Sequence, residues 1–356
     1  MKPEWTQIAE RAVQSLGVRR SELIEVSDHA GRYDVLLEFI LAIERRGATP
    51  RVELLPPDLT PRLLSTSTVD DLAEFGRHRI EWMARTDRIL ALEGHDSELE
   101  VDRETLEAWI QATDQVTAVE EQRKLPFMLV AVPTLERAEA LGLELKDLEA
   151  ALLPALSVNV DELKAEIQRV RQIVENADRL VVQTDGHRLE LDIRGREWME
   201  DYGEIPDADG PRTVQPVANL PAGSVYTTVQ ERSPTGSLSL PHVNDASNVV
   251  FQFRNGRVDE IQAESGVELA HRLFDRHCGE PRRISHLGIG LNPRLDRLLG
   301  WPLVDEHRHG TLFIAFGENR YLGGENASSL NVDFVIPNAA LLADGRTVIE
   351  YGRVLG

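Results

Sequence analysis

The chain has 356 residues, 42% hydrophobic and 28% charged, with a formal net charge of −21. That length suits two domains rather than one core, and the acidity argues against a nucleic-acid backbone as partner. One cysteine, Cys278, rules out a disulfide framework, no apolar run reaches the roughly 18 residues of a membrane span, and Met1-Lys-Pro-Glu-Trp-Thr6 carries no apolar leader, so a cytoplasmic protein is expected.

In chain order, Leu23–Val26 reads as a strand, and Tyr33–Arg46 as a helix with Leu36, Leu37, Ile40, Leu41 and Ile43 on one side. Gly47 stops that helix, and Arg51–Leu55 is the next strand. This β-α-β unit implies a parallel pair. The pattern repeats: helix Val69–Ala84 to strand Arg88–Leu92, then helix Glu104–Arg123 to strand Phe127–Val132. Such short apolar strands fit a parallel sheet covered on both faces. Asp28, His29 and His95 sit just past strand ends, where open α/β sheets bind ligands. Turn and helix-cap roles are the better reading there, and no Gly-rich phosphate loop follows any early strand.

Residues 134–177 read as a helical connector. Beyond it the composition changes. Leu180–Thr184 and Leu189–Ile193 flank the turn Asp185-Gly-His187, a hairpin signal. Ser224–Val229, Gly236–Leu240, Val249–Phe253 and Gly256–Ile261 follow as strands, with a second hairpin tip at Asn255-Gly256. Helix Val267–His277 precedes Arg282-Arg-Ile-Ser-His-Leu-Gly-Ile-Gly-Leu-Asn-Pro293. The expected architecture is an α/β N-terminal domain (1–177) with a mostly parallel sheet, then an α+β C-terminal domain (178–356) with a largely antiparallel sheet carrying the site.

Val132-Pro-Thr134, Leu191-Asp-Ile-Arg-Gly-Arg196, Asn219-Leu-Pro-Ala-Gly223, Asn255-Gly-Arg-Val258, Leu287-Gly-Ile-Gly-Leu-Asn292, Asp305-Glu306 with Gly310-Thr311, and Asn326-x-Ser328 before Val332-Asp333 occur in an order that resembles the aminopeptidase T / aminopeptidase S metallopeptidases. The resemblance covers most of the chain. It implies a fold built for two divalent metals on two Glu, two His and one Asp, with an assisting Tyr. At the matching positions this chain has Ser224, His286, Phe313, Asn331 and Asp333, so only the Asp is kept; Tyr321 lies one residue out of register with the Tyr. Two adjacent divalent ions need bridging carboxylates to offset their charge, so a two-metal peptidase site is not expected.

A histidine at the second Glu position is similar to the branch of the same superfamily that contains 2,5-dihydroxypyridine 5,6-dioxygenase, a ring-cleaving enzyme with two His and one Asp around a single ferrous ion. That likeness implies one divalent metal, Fe(II) by preference, a small aromatic or heterocyclic substrate, and a homodimer. His286 and Asp333 are the first ligand candidates. Asn331 is two residues from Asp333, so on an ideal strand both face one side. His307 and His309 have His-x-His spacing and are the natural replacements for the missing imidazole, against an exposed-turn alternative. His187, at the hairpin, His242, at a loop start in Leu240-Pro-His242, and Tyr321 are candidates for proton handling. Tyr226 is a further hydrogen-bond candidate; His271 and His277 are read as structural. An unconventional aminopeptidase, and a metal-free enzyme or binding protein on the same fold, remain the alternatives.

Overall fold

The computed structural model describes residues 3–94, 102–206 and 216–355. His95 lies outside them. The chain forms two compact units, one of residues 1–157 and 203–222 and the other of 158–202 and 223–356.

The first unit begins with a helix that sequence reading passed over, α1 (Pro3–Ser15). It then runs β1 (Leu23–Asp28), α2 (Tyr33–Arg45), β2 (Thr49–Leu54), α3 (Leu59–Thr66), α4 (Val69–Met83), β3 (Arg88–Glu93), α5 (Arg103–Arg123), β4 (Phe127–Ala131), α6 (Leu135–Ala140) and α7 (Leu145–Leu156). Helix α2 buries Val35, Leu36, Phe39, Ala42 and Ile43, the stripe that helical periodicity demands. Thr68 opens α4 through a capping box with Asp71. The sheet has the order β2-β1-β3-β4-β8, all parallel, where β8 (Val217–Leu220) arrives from far along the chain. Asp28 behaves as a turn residue: its carboxylate accepts the amides of Ala30 and Gly31, both at 3.1 Å. His29 lies 3.6 Å from Glu93.

The second unit contains α8 (Val160–Val174), β5 (Arg179–Thr184), β6 (His187–Asp192), β7 (Trp198–Asp201), β9 (Ser224–Thr228), β10 (Thr235–Val243), β11 (Ala246–Arg254), β12 (Arg257–Gln262), α9 (Val267–Asp275), β13 (Ile284–Gly290), α10 (Pro302–Asp305), β14 (Leu312–Gly317), β15 (Asn331–Ile336), β16 (Ala340–Ala343), β17 (Arg346–Glu350) and β18 (Arg353–Val354). Among the described residues these strands form two sheets, ordered β12-β11-β10-β6-β5-β16-β17-β18 and β15-β14-β13-β9-β7. Their pairings are antiparallel. The hairpin signals hold for a conformational reason. Asp185-Gly186 and Asn255-Gly256 all have positive φ, the combination that a two-residue turn matched to strand twist requires. Phe251, Phe274 and Phe316 pack edge to face at 5.4–5.6 Å and form an aromatic core. No helix among the described residues is long and apolar enough to cross a membrane.

Candidate functional site

The site grows on the sheet β15-β14-β13-β9-β7. Registers pair Asp201 with Ser224, Tyr226 with Gly288, Gly288 with Phe313, and Ala315 with Asp333. Alternation along each strand puts these residues and His286 on one face. His286 Nε2 stands 3.1 Å from Asp333 Oδ1. Its ring is tilted against Tyr226, with centroids 5.6 Å apart, and edge-on to Phe313 at 5.9 Å. On its other side Nδ1 is 3.0 Å from Ser285 Oγ. Asp333 Oδ1 is buried and makes no aligned hydrogen bond, despite its closeness to the imidazole.

Two glycines make this face possible. A Cβ at position 288 would stand 2.0 Å from the Phe313 ring, so glycine there admits the phenyl group. At position 290 a Cβ would meet the carbonyl oxygens of Glu306 and Arg308, each at 2.3 Å. The backbone of residues 306–310 therefore lies directly on β13. It is tied there by Asn292 N to His307 O (2.7 Å), Gly310 N to Gly290 O (2.8 Å) and Gly290 N to Thr311 O (2.8 Å). Asp305 holds the preceding turn by accepting the amides of Leu299, Gly300 and Trp301 at 2.7, 2.7 and 3.1 Å. Burial pushes Asp305 up to about 6, against those bonds.

This docking brings Glu306 and His307 to the site. Glu306 is buried, and desolvation raises its carboxyl well above the usual range. Asp333, Asp201 and Asp305 add to the rise, and His286 opposes it. Tyr226 is raised by desolvation, then by Asp201, Tyr321, Glu306 and Asp333. Tyr321 is 39% exposed overall, yet its hydroxyl is desolvated and, with Asp333 nearby, is held far above its usual value. His307 is 1% exposed and lowered by desolvation, with Asp201 and Asp333 opposing. Its Nε2 lies 3.2 Å from Glu306 Oε1 without an aligned hydrogen bond.

The sequence candidates separate on this map. His286, Asp333 and Tyr321 come together. Asn331 faces the same way and donates from Nδ2 to Tyr321 Oη at 3.3 Å. His307 is not in an exposed turn, because the docked backbone buries it. His307 and His309 are not a strand chelate either: the segment is a turn after α10, and His309 Nε2 pairs with Glu166 of α8 at 2.9 Å. His187 opens β6 and binds Ser237 Oγ at 2.9 Å. His242 belongs to strand β10, opposite Ser247, rather than to a loop. Asp201 and Glu306 were missed as site residues. Asp305-Glu306 was visible as a motif, but an acid pair before a Gly-Thr turn says nothing about burial. Asp201 ends a short strand that carried no strong periodic signal.

Charge and donor chemistry test the site against a divalent cation. Asp201, Asp305 and Asp333 all oppose the ionisation of Glu306, and the through-space influences on Glu306, Tyr226 and Tyr321 are acids and a tyrosine, apart from His286. An orphaned carboxylate oxygen faces an imidazole nitrogen. These features fit one cation on His286 and Asp333. Among the described residues no three His, Cys, Asp or Glu side chains are grouped to hold a metal together.

The Glu166 link has its own consequence. Hydrogen bonds from Arg169 and then His309 hold Glu166 down at about 2, against burial, from an ordinary 4.5. A depressed folded-state value means that the stabilisation is complete above pH 4.5 and is lost as pH falls toward 2. Glu166→Gln is expected to cost on the order of 1–2 kcal/mol at neutral pH. In thermal melts its deficit against the parent should vanish across that acid window; a deficit independent of pH would refute the assignment.

Comparisons with known proteins agree with this fold. The sequence profile described as thermophilic metalloprotease (M29) matches residues 14–351. The structure is similar to wild-type AmpT from Thermus thermophilus, at 18% identity and a TM-score of 0.77 over 99% of both chains. It is also similar to 2,5-dihydroxypyridine dioxygenase from Pseudomonas putida KT2440, at 16% identity and a TM-score of 0.61, over 99% of this chain and 97% of that one. No curated protein matches by sequence. With the fold expected from the motifs now observed and the profile spanning nearly the whole length, the chain belongs to the thermophilic metalloprotease (M29) family.

Proposed function

We propose that this protein is an enzyme using one divalent cation, Fe(II) by preference, on a small aromatic or heterocyclic substrate, with oxidative ring opening as the reaction class. The observation that carries the reading is the 3.1 Å approach of His286 Nε2 to a buried Asp333 oxygen that has no aligned hydrogen-bond partner. His286 and Asp333 would hold the ion, with Glu306 the buried carboxyl on which both act. When bound, Fe(II) supplies open positions at which a hydroxylated ring and dioxygen are activated together. The protein's own groups do the rest. Tyr226 and Phe313 flank His286 with aromatic surface, which suits a planar ligand and keeps water from the imidazole. Tyr321 Oη, oriented by Asn331, stays protonated through the physiological range and can give a hydrogen bond to substrate oxygen. Ser224 and Phe313 at former ligand positions weigh against two-metal peptide hydrolysis.

Anaerobic reconstitution with Fe(II), desalting and metal analysis test this reading. Close to one equivalent is expected, and retention below about a tenth of an equivalent would exclude it. A second reading rests on the lack of a three-donor group among the described residues: His286 and Asp333 acting without metal as a general-base pair. Turnover or ligand binding indifferent to chelator would favour that alternative.

A further inference from the structure

We infer that Ser285 fixes His286 in the tautomer carrying its proton on Nδ1, leaving the Nε2 lone pair aimed at Asp333. Ser285 is wholly buried. Its Oγ lies 2.6 Å from the carbonyl oxygen of Glu318 and 3.0 Å from His286 Nδ1. A carbonyl oxygen only accepts, and two oxygens that close must share a hydrogen. Serine has one hydroxyl hydrogen, and it goes to Glu318. The Ser285 oxygen then presents a lone pair to His286, so Nδ1 must be the donor.

Two features of the fold create this contact. Neighbouring residues on a regular strand point to opposite faces. Here the register of β13 against β14 slips between Ile284 and Leu287, and this bulge lets consecutive side chains meet. The accepting carbonyl is also held in place. Glu318 N donates to Leu330 O at 2.7 Å. The adjoining Asn319, fully buried, donates from Nδ2 to Glu231 Oε1 at 3.1 Å and to Ser285 O at 3.3 Å. Asn319 Oδ1 accepts the amide of Asn326 at 2.7 Å, and Arg196 donates to the far oxygen of Glu231 at 2.6 Å. The hydroxyl therefore has a fixed acceptor on one side and one role left on the other.

The consequence reaches Asp333. In this tautomer a neutral imidazole offers no N–H to the carboxylate 3.1 Å away. Two acceptors then face one another, which leaves a place for a proton or a metal cation. Histidine ligands are commonly held this way, through the ring nitrogen that does not bind. The inference rests on the proposed role of the His286–Asp333 pair only for its functional meaning. Ser285 is a positioning residue and touches no substrate.

Long-range proton–nitrogen NMR on metal-free protein labelled with 15N-histidine tests it. The resonance that disappears in His286→Gln is expected to show a pyrrole-type Nδ1 and a pyridine-type Nε2 in the parent. A protonated Nε2 in the neutral ring would overturn the inference, whether or not metal binds. Ser285→Ala should move the ring toward the Nε2-protonated form and weaken divalent-ion binding by about ten- to a hundredfold, whereas Ser285→Thr, which keeps a hydroxyl, should restore the Nδ1-protonated form. Retention of that form in Ser285→Ala would also overturn it. If Ser285→Ala does not fold, the parent spectrum decides. Failure of the protein to take up Fe(II), with the expected tautomer present, would count against the proposed function alone.

Discussion

Replacing His286 with alanine is expected to lower affinity for a single divalent cation by more than about a hundredfold, beyond what losing a supporting contact costs. The side chain is one of two protein donors within 3.1 Å of each other, so its removal leaves Asp333 with no imidazole to share an ion. Asp333→Ala should do the same. The double variant should bind scarcely more weakly than either single one, because the two groups act as a unit. Isothermal titration under anaerobic conditions, with circular dichroism as a folding control, reads all three. Undiminished affinity in His286→Ala would refute the pair as the holding site. Additive losses would point to two separate sites.

The second large effect is structural. Gly290→Ala is expected to be among the most damaging small substitutions in the second unit. Its Cβ would meet two carbonyl oxygens at 2.3 Å and the carbonyl carbon of His307 at 2.8 Å. These are backbone atoms tied to β13 by hydrogen bonds, so no rotamer change relieves the clash. Overpacking of this kind costs about 3 kcal/mol, or a fall in Tm of about 5–10 °C. The displaced turn should also carry Glu306 and His307 away from the site. Gly288→Ala makes a useful contrast. The three atoms nearest its Cβ would all be ring atoms of Phe313, the closest at 2.0 Å, so Phe313→Ala in the same chain should recover much of the loss. Scanning calorimetry on the two glycine variants, each with and without Phe313→Ala, separates the cases. Rescue at 288 and none at 290 is the expected outcome; equal rescue at both would contradict the account.

Much of the fold was legible because its signals are local. The stripe Val35, Leu36, Phe39, Ala42 and Ile43 needs only helical periodicity, and Asp185-Gly186 and Asn255-Gly256 need only the backbone freedom of those residues. Helix α1 was overlooked although its apolar residues are periodic, and β8 could not be foreseen as a parallel neighbour of β4 because that pairing joins segments far apart in sequence. Of the site, Asn331 and Asp333 were readable together, since their spacing of two is a property of one strand.

His307 and His309 show where such reading ends. Identical in type and two residues apart, they were weighed as one chelate or one exposed turn. The fold buries His307 against Glu306 and turns His309 to Glu166. The amino-acid order by itself determined the periodic helices and strands of a parallel α/β sheet and the antiparallel hairpins that follow it. The tertiary structure alone decided that His286 and Asp333 meet, that Asp201 and Glu306 join them, and that Ser285 sits behind the imidazole. The physical reason is that burial and charge pairing depend on contacts between β7, β13, β14, β15 and the turn after α10, and periodicity within any one of them carries no information about those contacts.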